Sequence, residues 1–260
     1  VIYKADSNLK KQLFSMFKEI DSTMVLSGLQ GHMGEVWVDD VENPTVAQVV
    51  VGIFVFYAGD SNAKAVDELL VNLQDYTLVI VNNDEWKKRI ETFYRCEVVK
   101  FQRYAFKRDA KYLDVNHIQS FLSKLPKGYE LRKIDRDIAN YSSFQQLSED
   151  FIYQYGSVDE YVNKSVGYCI MHEGQVVCGA SSYSVYDDGI EIEIDTHPKH
   201  RRKGLATVAA SALILDCLER GKYPCWDAAN LESVDLAKKL GYVFKESYDT
   251  YYIEYKSSTI

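Results

Sequence analysis

The stretch Arg201-Arg202-Lys203-Gly204-Leu205-Ala206 decides how this chain folds, through what stands on either side of it. Upstream runs the alternating sequence Ile190-Glu191-Ile192-Glu193-Ile194-Asp195, then His197-Pro198; downstream, residues 205–218 are rich in apolar side chains. Alternation signals a strand and the apolar run a helix, so the six residues form a short basic strand-to-helix loop. The first turn of a helix carries N–H groups without intrahelical partners, at the positive end of its dipole. Such a loop is a natural seat for a pyrophosphate. Gly204 lets the backbone approach the anion with no Cβ in the way, and the small Ala206 lets the helix sit tightly on the sheet. A nucleoside-triphosphate loop is excluded, because Gly204 is followed by Leu205 and not by Lys-Ser/Thr.

A second block lies downstream: Trp226-Asp227-Ala228-Ala229-Asn230, then Ser233, then Leu236-Ala237-Lys238-Lys239-Leu240-Gly241-Tyr242. In this order and spacing, the basic glycine loop and this block resemble the acetyl-coenzyme A signature of GNAT-type N-acetyltransferases. The run 192–198 followed by 226–230 is similar to the subfamily containing the zwittermicin A resistance protein. The resemblance implies an α+β fold, a mixed and largely antiparallel sheet flanked by helices. It implies acetyl-coenzyme A as co-substrate, with pantetheine along the 190–196 strand and a backbone N–H near Ile194 to Thr196 polarising the thioester carbonyl. Arg201, Arg202, Lys203, Gly204, Leu205 and Ala206 would hold the pyrophosphate, and Asn230 and Ser233 would reach the same ligand. Thr207 either adds a hydroxyl to the phosphates or is a plain helix threonine; Asn230 and Ser233 also read as simple N-capping residues. One position departs from the pattern. Many family members carry at Ala237 a tyrosine whose hydroxyl protonates the departing thiolate, and alanine cannot. Neither Tyr242 nor Tyr248 can be chosen from sequence as its substitute.

Transfer to an amine needs a base. An amine with a lysine-like pKa of ~10.4 must lose a proton before it attacks a thioester, which at pH 7 costs roughly 4.6 kcal/mol. Glu191, Glu193 and Asp195 share one face of their strand, with Ile190, Ile192 and Ile194 on the other. A carboxylate there can take the proton, directly or through water. Glu193 or Glu191 is the expected base, and Asp195, closer to the phosphate loop, the structural member. The plain alternative is a solvated polar face.

Composition narrows the partners. Residues 1–125 carry 15 Lys+Arg against 17 Asp+Glu (−2) and residues 126–260 carry 15 against 21 (−6), within a net charge of −8. Nucleic acid is a poor partner for such a chain, because affinity there rests on neutralising phosphates; a cationic small-molecule amine suits it better. No run approaches 18 consecutive apolar residues, so no membrane partner is expected. Five scattered cysteines, odd in number, read as reduced thiols of a cytoplasmic protein. His197 and His200 flank Pro198-Lys199 with no ligand-type neighbour, so no metal is expected. Cys225 reads as an inert strand thiol. The oligomeric state is not written in the sequence. The competing class is a non-catalytic module that binds coenzyme A or a protein through a retained fold.

The second half continues the pattern. Residues 129–134 alternate as a strand, 135–154 read as two short helices or one broken one, and 166–172 and 175–185 form a hairpin around Glu173-Gly174. Helix 205–220 ends at Gly221; a strand 223–228 and a helix from Asn230 to 240 follow, then an antiparallel pair 242–246 and 250–255. In the first half, 9–20 reads as an amphipathic helix, 36–38 and 46–57 as strands, 63–73 as a helix, 77–81 as a strand, 84–94 as a helix and 97–106 as β-like. The order over 77–106 mirrors that over 225–255. It fits a decayed, GNAT-like internal duplication and convergent α/β patterning alike. The first half has Tyr57-Ala58-Gly59-Asp60 where the second has its cationic loop, so no coenzyme A seat is expected there. Leu125-Pro126-Lys127-Gly128 is the natural linker between domains 1–125 and 126–260.

Overall fold

A computed structural model describes residues 1–254 of the chain. It divides into two compact units, one of residues 1–103 with 248–254, the other of residues 104–247. The second unit is built on a sheet of β7 (Tyr129–Lys133), β8 (Gly167–His172), β9 (Gln175–Tyr186), β10 (Gly189–Thr196) and β11 (Tyr223–Cys225). Their order is β11-β10-β9-β8-β7, antiparallel throughout except for β10 and β11, which run parallel. Helix α9 (Leu205–Glu219) makes the crossover that a parallel pair requires. Its residues 207–214 are buried all round, the mark of a helix enclosed by its own domain. Ile190 and Ile192 of β10 and Cys178 and Ala180 of β9 pack with α9 in one apolar core.

The opposite face of this sheet is covered by α6 (Arg136–Ala139), α7 (Ser142–Leu147) and the turns that lead to α8 (Val158–Lys164). Gly179 makes room for Phe151 there: a Cβ on it would stand 2.9 Å from the ring. Tyr161 and Ser181 share a 2.7 Å hydroxyl hydrogen bond, and the Tyr155 hydroxyl donates to the Ser182 carbonyl at 2.7 Å. The expected 135–154 helices are thus present, and α8 is an additional helix. Helix α5 (Val115–Gln119) places Ile118 in the α9 core together with Leu113 and Phe121. These residues explain why the units divide before Tyr104 and not at 125–128: the segment 110–124 buries its apolar side chains in the second unit.

The first unit holds β1 (Tyr3–Lys4), α1 (Ser7–Gln12), α2 (Thr23–Leu29), β2 (Glu35–Val38), β3 (Val46–Val51), β4 (Phe54–Gly59), α3 (Val66–Val71), β5 (Thr77–Ile80), α4 (Asp84–Tyr94) and the start of β6 (Val98–Phe106). The expected 9–20 helix ends at Gln12; beyond it Met16 and Ile20 bond back only three residues, in turns that still bury Leu13 and Phe17 and leave Phe14 exposed. The expected 46–57 strand is a hairpin, because Gly52 at φ 58° turns the chain. The expected 223–228 strand breaks at Trp226: β12 (Asp227–Ala228) leaves β11 and pairs with Tyr104 and Ala105. The expected pair 242–246 and 250–255 is one continuous strand, β13 (Phe244–Ile253), whose Asp249 is held by Lys87 and Gln102; Tyr255 lies outside the described residues. The end of β13 pairs with β5.

The two units repeat one device. β3 and β4 are antiparallel, β4 and β5 parallel with α3 between them, and α4 follows. In the second unit β9, β10, α9, β11 and α10 (Leu231–Leu240) stand in the same order and directions.

Gly189 sets the start of the second parallel pair. A Cβ there would run into the Tyr223 carbonyl oxygen, a backbone atom that cannot swing aside. Gly189→Ala is therefore expected to cost about 1–3 kcal/mol, as overpacking does. Urea unfolding with an unchanged midpoint would show that the β10–β11 join is looser than this.

Candidate active site

The parallel pairing of β10 and β11 is three residues long: Gly189, Ile190 and Glu191 lie opposite Tyr223, Pro224 and Cys225. Beyond Glu191, β10 runs on to Thr196 paired with β9 alone, while the chain after Cys225 turns to other partners. One edge of residues 192–196 thus carries strand N–H and C=O groups without a neighbouring strand among the described residues. Backbone groups of this kind need partners when they are enclosed.

The edge leads into the basic loop. His197 opens it, its Nδ1 accepting from the Lys199 N–H at 3.2 Å, and the Arg201 Nε donates to the Thr196 carbonyl at 3.3 Å. Arg202 at φ 60° and Gly204 at φ 76° both lie in the left-handed region on either side of Lys203. Alternating backbone of this type turns successive N–H groups toward one concavity that suits an anion. Helix α9 starts straight from Gly204 with no side-chain cap, so its first N–H groups add to the same cradle. A Cβ on Gly204 would point into open space, with no heavy atom within 4 Å. The residues present fit a pyrophosphate.

Several side chains have other occupations than the sequence implied. The Lys203 ammonium donates to the Tyr129 hydroxyl at 3.1 Å, and that hydroxyl is 2.9 Å from His200 Nδ1. Lys203 therefore offers the loop its backbone N–H, while its side chain ties the loop to β7. Burial, then the charges of Lys203, His172 and His197, hold His200 below the usual imidazole range. Thr207 is buried, its Oγ1 accepting from Lys239 at 3.4 Å. Lys239, which also stands over the Phe121 ring, brings a cation from α10 to the start of α9 that sequence reading missed. The signal was its place in the second block, three residues before Tyr242.

Glu191, Glu193 and Asp195 face away from α9, opposite Ser184, Ser181 and Gly179 on β9. They are not equivalent. Glu191 is only 6% exposed and lies against the Cys225 thiol, which burial first, and then the neighbouring Glu191 charge, push far above its ordinary range. Glu193 and Asp195 are half-buried, beyond the point where β11 departs. Burial raises Asp195, with Arg201 pulling the other way. Asp150, in the turn whose Phe151 packs on Gly179, is raised by burial and by the charges of Glu149 and Asp195. Sequence reading did not single out Asp150, because nothing in its neighbourhood announces that the turn folds onto β10's partner strand.

Asn230 caps α10, its side-chain oxygen accepting from the Ser233 N–H at 2.9 Å. The Trp226 indole donates to the Ser233 hydroxyl oxygen at 3.1 Å. Ala237 is fully buried, and the Tyr242 hydroxyl is spent on the Pro224 carbonyl at 2.6 Å, which removes Tyr242 as a substitute donor. Tyr248 belongs to the first unit. Among the described residues no group of three or more His, Cys, Asp or Glu could hold a metal ion, and no helix is long and apolar enough to cross a membrane.

The family model of the GNAT acetyltransferases matches residues 14–251. The chain belongs to this family. The match runs through both units, so the first half is part of the family pattern although no motif in it could be quoted from sequence. An uncharacterized N-acetyltransferase of Bacillus subtilis, YdfB, is 29% identical over 234 residues, 84% of this chain and 85% of its own. A GCN5-related N-acetyltransferase-like protein from Streptococcus suis is 35% identical with a TM-score of 0.86, over 94% of this chain and 98% of that one. A tandem GNAT protein from the clavulanic acid pathway shares the fold alone, at 10% identity and TM-score 0.58, over 99% of this chain and 100% of its own. The fold is thus the mixed α+β GNAT fold, and the chain is an acetyltransferase. Members of the family generally use acetyl-coenzyme A.

Burial raises Asp150 and Asp195 in the acetyltransferase, so folding opposes their ionised forms. A carboxyl raised in the folded state is opposed by folding wherever it is ionised, and neutral in its effect once both states are protonated. Asp150→Asn is therefore expected to raise the melting temperature at pH 7, the gain fading as pH falls through the raised folded-state range and gone below about 4, where the unfolded carboxyl is protonated too. A loss of stability at pH 7 would mean that Asp150 is held by favourable partners instead.

Proposed function

We propose that this acetyltransferase moves the acetyl group of acetyl-coenzyme A to a primary amine on a cationic small molecule by direct transfer. The observation that carries the reading is the parting of β10 and β11 beside an uncapped helix start: an open strand edge runs directly into an anion cradle. When bound, acetyl-coenzyme A supplies a thioester, an acyl group already activated for attack. The N–H groups from Arg202 to Ala206 would seat its pyrophosphate, and the edge from Ile194 to Thr196 its pantetheine, with an N–H there polarising the carbonyl. Asn230 and Ser233, at the start of α10, would reach the same ligand. Holding both substrates together removes the entropic cost of their encounter.

Glu193 is the base in this reading. It lies beyond the paired stretch, half open to an acceptor, whereas Glu191 is enclosed against Cys225. A carboxylate accepting the amine proton relieves the roughly 4.6 kcal/mol that deprotonation costs at pH 7. Asp150 and Asp195 add negative charge on the same sheet face and favour a cationic acceptor. The resemblance to the zwittermicin A resistance subfamily suggests an amino-polyol antibiotic as that acceptor. The free cysteines suit a reducing cytoplasm. A second reading, a coenzyme A-binding or protein-binding module without turnover, draws on Ala237 alone; tight binding without thiol release across a panel of amines would establish it.

The first unit is read as a GNAT-like repeat without a ligand seat. The Trp86 indole, 1% exposed and stacked on Tyr57, donates to the Gly59 carbonyl at 2.9 Å. It fills the place past the last β4–β5 pair, Phe56 opposite Ile80, that β10 leaves open in the second unit. Calorimetry is expected to give one coenzyme A per chain; two would mean a seat on the first unit.

Glu193→Gln is expected to lower turnover about 10²–10⁴-fold at neutral pH with coenzyme A affinity unchanged. Equal rates and pH profiles for Glu193→Gln and for Glu193→Gln with Glu191→Gln would place the base elsewhere. Gly204→Val is expected to weaken coenzyme A binding sharply, because a β-branched residue resists φ 76° and its side chain enters the cradle. Unchanged affinity in calorimetric titration, with the fold intact, would remove the phosphate seat from this loop.

A further inference from the structure

We propose that Ser233 is a catalytic residue: its hydroxyl donates a hydrogen bond to the sulfur that departs from the acetyl group. The inference rests on the reading above and assigns a group to the one chemical demand that reading leaves unmet.

The two units supply the geometry. Helix α4 is capped by Asn83, whose side chain accepts from the N–H three residues on, that of Trp86, at 2.9 Å. Helix α10 is capped by Asn230, whose side chain accepts from the N–H three residues on, that of Ser233, at the same 2.9 Å. Trp86 and Ser233 are therefore equivalent positions on equivalent helices. In the first unit the side chain at this position reaches the strand edge past the parallel pair, bonding to Gly59, three residues beyond the last paired residue Phe56. Counting the same three residues from Glu191 gives Ile194, on the open edge of β10. The connection from the last paired residue to the cap is three residues in the first unit (Ile80 to Asn83) and five in the second (Cys225 to Asn230), and the correspondence of the two helices assigns Ser233 to the second unit's gap.

Its hydroxyl is oriented for donation. The Trp226 N–H occupies a lone pair of Ser233 Oγ at 3.1 Å, and the hydroxyl proton has no acceptor among the described residues. Trp226 is the residue directly after Cys225, the last one paired with β10, so the indole that orients Ser233 stands where the strands part. Ser233 and Ala237 are four residues apart and share one face of α10. The buried methyl of Ala237 offers no donor, and Ser233 is the hydroxyl one turn away.

The chemistry balances without ionising serine. The C–N bond forms, the C–S bond breaks and its electron pair stays with sulfur. The proton given up by the amine to Glu193 ends on sulfur through water. Ser233 keeps its own proton, because a serine hydroxyl is far less acidic than a thiol of pKa ~8.5, and acts as a hydrogen-bond donor to the developing thiolate. Trp226 is a positioning residue for that donor.

The test reads the bound thiol directly. The pKa of coenzyme A bound to the full chain is followed by the ultraviolet absorption of its thiolate, for wild type, Ser233→Ala, Ser233→Thr and Trp226→Phe. A hydrogen bond to a charged group is worth about one to two pH units here, so Ser233→Ala is expected to raise the bound thiol's pKa by that amount and Ser233→Thr to restore it. Trp226→Phe should give a smaller shift in the same direction. Turnover with acetyl-coenzyme A should fall about 10–100-fold in Ser233→Ala, with the affinity for desulfo-coenzyme A, which lacks the sulfur, unchanged. Ser233→Trp should close the gap as Trp86 does and abolish binding. A bound-thiol pKa and turnover unchanged in Ser233→Ala would overturn the role of Ser233 while leaving the site in place. Coenzyme A failing to bind wild type at all would overturn the site and this inference with it.

Discussion

The separation of β10 from β11 after a single three-residue join is the constraint from which the rest of the site follows. Two parallel strands that stayed paired would consume their backbone groups in each other. Here Gly189 brings the chains so close that no Cβ fits, and the pairing ends at Glu191 and Cys225. Up to that point β10 is paired on both edges, and beyond it with β9 alone. This is why Glu191 and Glu193, two residues apart on one strand face, have different environments: one is buried beside a thiol, the other half-buried beyond the join. The separation also decides where the uncapped start of α9 points, because the loop that begins it leaves from the open end of β10.

Much of the second unit was legible in the sequence because its signals are local. Alternation marked β10, a glycine after a helix marked the end of α9, and asparagine marked the start of α10. What the sequence hid was which strands stop pairing. Residues 223–228 read as one strand, yet Trp226 divides them between two different partners, β10 and β6, a decision made by long-range packing that no local pattern carries. The same holds for 242–255, where Ser247-Tyr248-Asp249 looks like a turn and is extended because Lys87 and Gln102 hold Asp249. Lys239 and Asp150 were missed for a related reason: each is an ordinary exposed-type residue locally, and acquires meaning only when α10 and the 149–151 turn fold against α9 and β9.

The boundary between units has its own physical lesson. A linker was expected at Leu125-Pro126-Lys127-Gly128 on composition alone, and proline with glycine does mark a turn there, Gly128 standing at φ 90°. But the residues just before it, Leu113, Ile118 and Phe121, belong to the apolar core of α9. A turn is a property of the backbone, whereas a domain is defined by which core its side chains enter.

The repeat within the chain turns one position into an internal experiment. Two helices with the same asparagine cap, each following the second strand of a parallel pair, differ three residues in by a tryptophan and a serine. The indole is large enough to fill the gap and carries an N–H that satisfies a strand carbonyl, so the first unit gains a buried, fully bonded plug in Trp86. The serine is too small to fill such a gap, and its hydroxyl oxygen takes an indole N–H from Trp226. One side chain converts backbone groups into core, and the other leaves them exposed at the cost of the packing that a large residue would contribute. The first unit thus closes its strand edge with a side chain, whereas the second keeps residues 192–196 of β10 paired on one edge only.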